Sequence, residues 1–176
     1  AAAFADGPAL ARGRVLHRLL QALPALPADR RAEAARRHVA RVTALPENER
    51  QSIVEEVLRL FADPRFAALF SAPARAEVPI AGVLAGGERV SGVVDRLAVT
   101  DTQVLIADYK SDRVVPSSVE QVPHAYLSQL ALYRAVLRNL YPNHRVRAAL
   151  VWTAGPVLME LPGGALDQAL SRLKPA

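Results

Sequence analysis

Apolar residues recur with a helical period through the first third of the chain. Leu16, Leu19, Leu20 and Leu23 stand at i, i+3, i+4 and i+7 within GPALARGRVLHRLLQAL, the stripe of an amphipathic helix that Pro24 stops. A second helix is predicted from Asp29 to Leu45, rich in Ala and Arg, with Pro46 beyond it. A third is predicted to begin near Asn48, an N-cap residue with Gln51 three positions on, and to run through SIVEEVLRLF. PRFAALF adds a short helical turn, so residues 1–70 read as a helical region.

Near residue 75 the period changes from helical to alternating. RAEVPIAGVL, ERVSGVVDRLAVT and QVLIADYK are β-branched and are separated by Ala85-Gly86-Gly87 and by Asp101-Thr102, which predicts a three-stranded antiparallel meander. Pro123 suits the first position of a helix through HAYLSQLALYRAVLRNLY, which Pro142 ends. RVRAALVWTA, apolar enough to be central, and VLMEL follow as strands, and GGALDQALSRL closes as a helix. The order of elements predicts one α+β or mixed α/β domain around a single sheet, with residues 75–176 as the sheet core.

Length and composition narrow the class. The 176 residues, 51% of them hydrophobic, suit one core and one domain over 1–176. The opening AAAFADG has neither an initiator methionine nor the pattern of a signal peptide, and reads as a cut from a longer polypeptide. No apolar run approaches the roughly 18 residues of a membrane span, so a soluble protein is expected. Cysteine is absent, which excludes disulfides, thiolate zinc sites and iron–sulfur clusters; any metal must sit on oxygen and imidazole. The net charge of +5 favours a polyanionic partner only weakly. Lysine occurs only at Lys110 and Lys174, against 20 arginines. A lysine set into a core strand therefore suggests a task needing a compact ammonium.

The meander brings that lysine next to acids. With Asp101-Thr102 at the hairpin tip, paired positions sum to 203: Val99 with Val104, Leu97 with Ile106, Asp95 with Asp108 and Val93 with Lys110. Two carboxylates and an ammonium then end an otherwise apolar face. Directly opposed like charges are destabilising, so something positive must sit between them. A hard divalent cation would serve, with oxygen ligands and retained waters. If the first hairpin turns on Ala85-Gly86-Gly87 with a glycine in the left-handed position, pairs sum to 172 and Glu77 faces Asp95. A two-residue Gly-Gly turn would point Glu77 to the other side.

GVVDRL followed by VLIADYKSDR, with QLALYR about twenty residues on and Gly-x-x-x-His in the first helix, resembles the RecB-family nuclease domains of the PD-(D/E)xK superfamily. The likeness is greatest to the AddA branch, the C-terminal nuclease domains of bacterial helicase-nuclease subunits, and runs from about Gly13 to Leu161. It implies a restriction-endonuclease-like core, a mixed central sheet flanked by helices. Residue by residue, it implies that Asp95 and Asp108 bind metal together with His17 and the main-chain carbonyl of Tyr109. Lys110 would orient or deprotonate the attacking water, Glu77 would be a further acid of the site, and Gln129 and Tyr133 would contact DNA. Taken alone, His17 would read as a helix-edge histidine, Gln129 as helix surface, and Tyr133 and the Tyr109 ring as packing.

The resemblance further implies a Mg2+-dependent deoxyribonuclease, with Mn2+ as a substitute and no iron–sulfur cluster. It would be an exonuclease processing double-strand-break ends in the bacterial cytoplasm, near the nucleoid, without a membrane. Expected partners are single-stranded DNA at a break end, the chain's own superfamily 1 helicase domain and an AddB-type subunit. Two other readings stand beside it: a non-catalytic DNA-binding or scaffolding module of the same fold, and another endonuclease of the superfamily using the loop from Arg113 to Val122. His38, His124 and His144 are expected at the surface, and Trp152 in the core.

Overall fold

The computed structural model describes residues 7–71 and 74–173; the opening stretch read above as a cut end, except its last residue Gly7, and Lys174 lie outside them. The helical region comprises α1 (Pro8–Ala22), α2 (Ala28–Ala40), α3 (Glu47–Ala62) and the short α4 (Ala67–Phe70). Two boundaries differ from the sequence expectation. Helix α2 ends at Ala40, five residues before Leu45: Val42 and Thr43 are β-branched, and Leu45 precedes a proline and is steered away from helical backbone. Helix α3 starts at Glu47 with Pro46 as its N-cap, which puts Asn48 inside the first turn beside Glu47 and Glu49. Those acids face the positive end of the helix dipole. Gln51 donates from Nε2 to Glu47 Oε1 (3.2 Å) and completes no capping box.

The sheet has five strands in sequence order: β1 (Ala74–Val83), β2 (Arg89–Val99), β3 (Gln103–Lys110), β4 (Arg145–Trp152) and β5 (Val157–Leu161). β3 and β4 are parallel, joined across α5 (His124–Leu140), and the other pairs are antiparallel. The sheet is therefore mixed, as expected. α6 (Gly163–Leu173) closes the described chain.

Both hairpin registers are the ones the turns predict. The first turn is the three-residue loop: Leu84 N–H bonds Glu88 O, and Gly87 sits at φ 83°, where a side chain would be strained. Every β1–β2 pair accordingly sums to 172, from Val83↔Arg89 to Ala74↔Ala98. In the second hairpin Thr100 N–H bonds Gln103 O, and pairs sum to 203 from Val99↔Val104 to Arg96↔Ala107.

Helices cover both faces. α1 to α4 bury one face, where Leu16, Leu20, Ile53 and Phe66 meet Ala107, Tyr109 and Val151 of β3 and β4. α5 and α6 bury the other, where Leu130, Leu137 and Leu166 meet Val104, Ile106, Leu150 and Trp152. α5 comes close to the sheet over two glycines: a Cβ on Gly82 would lie 2.8 Å from Val136, and one on Gly92 only 2.1 Å from the Tyr133 hydroxyl. Trp152 is core, as expected. His124 is exposed, and His38 and His144 are half-buried. Among the described residues no helix is long and apolar enough to cross a membrane.

Candidate active site

The acids lie where β3 leaves β2. On its β4 side β3 stays paired through Lys110↔Trp152, but on its β2 side the ladder ends at Arg96↔Ala107. Continuing the alternation of hydrogen-bonded pairs from Thr100–Gln103 would give the Tyr109 N–H to Val94. It goes instead to the Asp95 side chain, whose Oδ2 accepts it at 2.8 Å. The pair expected between Val93 and Lys110 does not form, and Val93 is exposed.

The break has a second consequence. Val94 and Leu97 both face the α5 core although regular alternation would put them on opposite faces. Arg96 lies on the α4 side, where its Nε donates to Leu69 O (2.8 Å). The alternation of β2 thus slips by one residue around Asp95, and the Asp95 carboxylate reaches the α1 side of the sheet. In β1 the matching disruption is Glu77, a non-glycine residue at φ 51°, bracketed by the intact pairs Ala76↔Arg96 and Val78↔Val94. Left-handed backbone costs an ordinary residue about 1–2 kcal/mol, and such strain clusters at functional sites.

Three side chains converge there. One donor atom each from His17, Glu77 and Asp95 lies within 4.8 Å of the others. α1 supplies His17 because its leucine stripe is buried and leaves His17 at the stripe's edge, facing the sheet; the ring meets Tyr109 edge-on at 5.6 Å, and Nδ1 lies 3.6 Å from Asp95 Oδ1. That contact holds the imidazole above its ordinary pKa, against the opposing effect of burial.

Asp108 and Lys110 sit beside this group, toward α5. Lys110 Nζ is 2.5 Å from Asp108 Oδ2, an ion-pair contact off the hydrogen-bonding direction, with both side chains largely buried. Burial pushes the Asp108 carboxyl up, the Asp95 charge adds to this, and Lys110 opposes both. The expected Asp95–Asp108 pair on one face does not form, because the ladder ends at Arg96↔Ala107 and the slip of β2 divides the acids between the two sides of the sheet. Asp95 joins His17 and Glu77, and Asp108 joins Lys110.

Tyr109 packs its ring in the α1–α4 core and its buried hydroxyl is pushed far above its ordinary pKa by desolvation. Tyr133 is buried against Gly92, while Gln129, one turn earlier on α5, is partly exposed and donates to the Tyr133 hydroxyl at 3.3 Å. Sequence reasoning missed Tyr126. Its ring centroid is 3.8 Å from Lys110 Nζ, and the available signal was its place three and seven residues before Gln129 and Tyr133 on one helix face.

The fold is a mixed sheet between two helical layers, with an acid–lysine cluster at the fork of its central strands. The family model described as PD-(D/E)XK nuclease superfamily matches residues 3–164, and the chain belongs to that superfamily. Its members are generally nucleases and typically use divalent metals. The chain is also 36% identical over 62 residues to an ATP-dependent helicase/nuclease subunit of Oenococcus oeni (strain ATCC BAA-331 / PSU-1). That stretch is 35% of this chain and spans 5% of the relative's length. The solved structure titled "Crystal structure of SSO0001" overlays 89% of this chain and 72% of its own at a TM-score of 0.35 and 15% identity.

Proposed function

We propose that this chain is a metal-dependent DNA exonuclease domain that trims double-strand-break ends, joined in its native polypeptide to a superfamily 1 helicase and working beside an AddB-type subunit in the bacterial cytoplasm. The observation that carries the reading is the convergence of His17, Glu77 and Asp95 next to the Asp108–Lys110 pair. The carboxylate donors suit Mg2+ or Mn2+, with the single imidazole better matched to Mn2+, and two like charges at a break in the sheet are an arrangement that a cation relieves. His17, Glu77 and Asp95 would hold the ion, with Asp108 and the Tyr109 carbonyl adjacent. When bound, it supplies the positive charge that phosphodiester oxygens need during attack by water.

The protein's own groups do the rest. Lys110 carries three N–H donors and is held by Asp108 through an ion-pair contact off the hydrogen-bonding direction, which leaves donors to orient the attacking water. Gln129, the more accessible of the α5 pair, contacts the scissile strand, and Tyr133 fixes its direction. The substrate in this reading is single-stranded DNA delivered by the motor, leaving 5′-phosphate and 3′-hydroxyl ends. The helicase partnership is supported by the likeness to the Oenococcus oeni helicase/nuclease subunit, and the AddB-type partnership by the resemblance of the sequence motifs to the AddA branch.

The test is to incubate the chain with linear single-stranded DNA in Mg2+, in Mn2+ and in chelator, beside Asp108→Ala. Degradation that requires metal and disappears in the variant supports the reading. Cleavage that survives in chelator or in the variant refutes it.

A further inference from the structure

We propose that Tyr126 is a positioning residue for Lys110, its ring face holding the ammonium in register with Asp108; this rests on the nuclease reading above. Lysine ends a flexible four-carbon stem, and one ion pair leaves the ammonium free to swing about the carboxylate. The Tyr126 ring, with its centroid 3.8 Å from Nζ, supplies a second contact. Both partners are anchored. The Tyr126 hydroxyl reaches Asp112 Oδ2 at 3.3 Å, and the ring rests against buried Trp152 with centroids 6.1 Å apart. Trp152 is the β4 partner of Lys110, and Thr153 N–H bonds the Lys110 carbonyl at 3.0 Å. α5 and β4 therefore fix the lysine from both its ends.

The chemistry explains why an aromatic ring stands here and not another acid. Asp95 and Asp108 already repel each other and Glu77 stands beside Asp95, so a further carboxylate here would add to the charge crowding. A ring face attracts the cation through its quadrupole but has no lone pair to take a directional hydrogen bond. The ammonium keeps its remaining N–H donors for water.

The experiment compares Tyr126→Leu and Tyr126→Phe with wild type in kcat and KM on single-stranded DNA with Mn2+, with thermal midpoints recorded for each. The leucine variant is expected to lose about 5- to 30-fold in kcat with KM changed less than about twofold. Phenylalanine, which keeps the ring, is expected to stay within about threefold of wild type. Unchanged kcat in Tyr126→Leu, equal losses in both variants, or a loss confined to KM each overturns the proposal. A second readout needs no activity. The chain has only two lysines, so the Lys110 ε-methylene proton signal, assigned with Lys110→Arg, should lie upfield in wild type and Tyr126→Phe and return to the free-lysine position in Tyr126→Leu. Free-lysine shifts for both lysines in wild type overturn the contact. A wild-type chain that cuts no DNA overturns the nuclease reading, while the lysine signals still decide the contact.

Discussion

Gly92→Ala should be among the most damaging single-methyl additions in the sheet. The new Cβ would lie 2.1 Å from the Tyr133 hydroxyl oxygen, 2.6 Å from Cζ and 2.7 Å from Cε1, whereas ordinary contact begins at 3.4 Å. The ring must retreat by about 1.3 Å at its tip, yet α5 is pinned by buried Leu130, Val136 and Leu137. Overpacking of this kind costs about 1–3 kcal/mol, partly offset by the roughly 0.5–1 kcal/mol that alanine gains over glycine in a strand. With a urea m-value of about 2 kcal/mol/M, the unfolding midpoint should fall by roughly 0.3–1 M. Tyr133→Phe removes only the hydroxyl and leaves Cζ in the way, so it should relieve part of the loss. Tyr133→Ala, costly alone at about 3–5 kcal/mol, should cost clearly less in the Gly92→Ala background. A Gly92→Ala midpoint at or above wild type would refute the seating of α5 on β2, and with it the placement of Gln129.

Three further outcomes are expected. Metal at a hundredfold above its Kd should stabilise wild type by about 2.7 kcal/mol, roughly 5–10 °C in thermal midpoint. Asp95→Asn and Asp95→Ala should both lose that shift, but only alanine should destabilise the metal-free protein, by about 1–3 kcal/mol, because it leaves the buried Tyr109 N–H without its acceptor; an undiminished shift in Asp95→Asn would refute the ligand assignment. Glu77→Gly should keep or slightly raise metal-free stability, since glycine accepts φ 51° without strain, while weakening the metal shift; a loss above about 1 kcal/mol would show the left-handed residue to be unstrained. Arg147 donates to both Glu160 oxygens and holds that carboxyl below its ordinary pKa. A depressed folded pKa gives stability present above the unfolded value near 4.5 and lost as pH falls through the folded one. Glu160→Gln should therefore cost under about 1 kcal/mol at pH 7, as expected of a part-exposed pair, and nothing in acid; a cost that grows in acid would reverse the sign.

What the sequence made legible was set by short turns. Asp101-Thr102 and the left-handed Gly87 determine the sums 203 and 172, and the second of these brings Glu77 level with Asp95, while the first holds only as far as Arg96↔Ala107 and stops short of an Asp95–Asp108 pair. The slip of β2 was hidden because Val94 and Leu97 are both apolar and either phase of alternation offers the core a plausible set. Glu77 hid for a different reason. Left-handed backbone is announced by glycine or asparagine, and a glutamate there carries no such signal. Tyr126 was missed because only the tertiary structure brings Lys110 under its ring.

These hidden features share one cause. The left-handed Glu77, the ladder that ends after Arg96↔Ala107, and the buried carboxyl of Asp108 each cost the metal-free fold something, and all three fall at one level of the sheet. A regular meander would have paired Val94 with Tyr109, kept Glu77 extended and held Asp95 on the face of Asp108. The irregular one instead turns Asp95 toward His17 and Glu77 and leaves Asp108 to Lys110. The division gains the Tyr109–Asp95 and Arg96–Leu69 hydrogen bonds, and in the proposed reading a bound cation would find donors on one side of β3 and an oriented ammonium on the other. The departures from regular β structure are thus the part of the fold that the proposed chemistry requires.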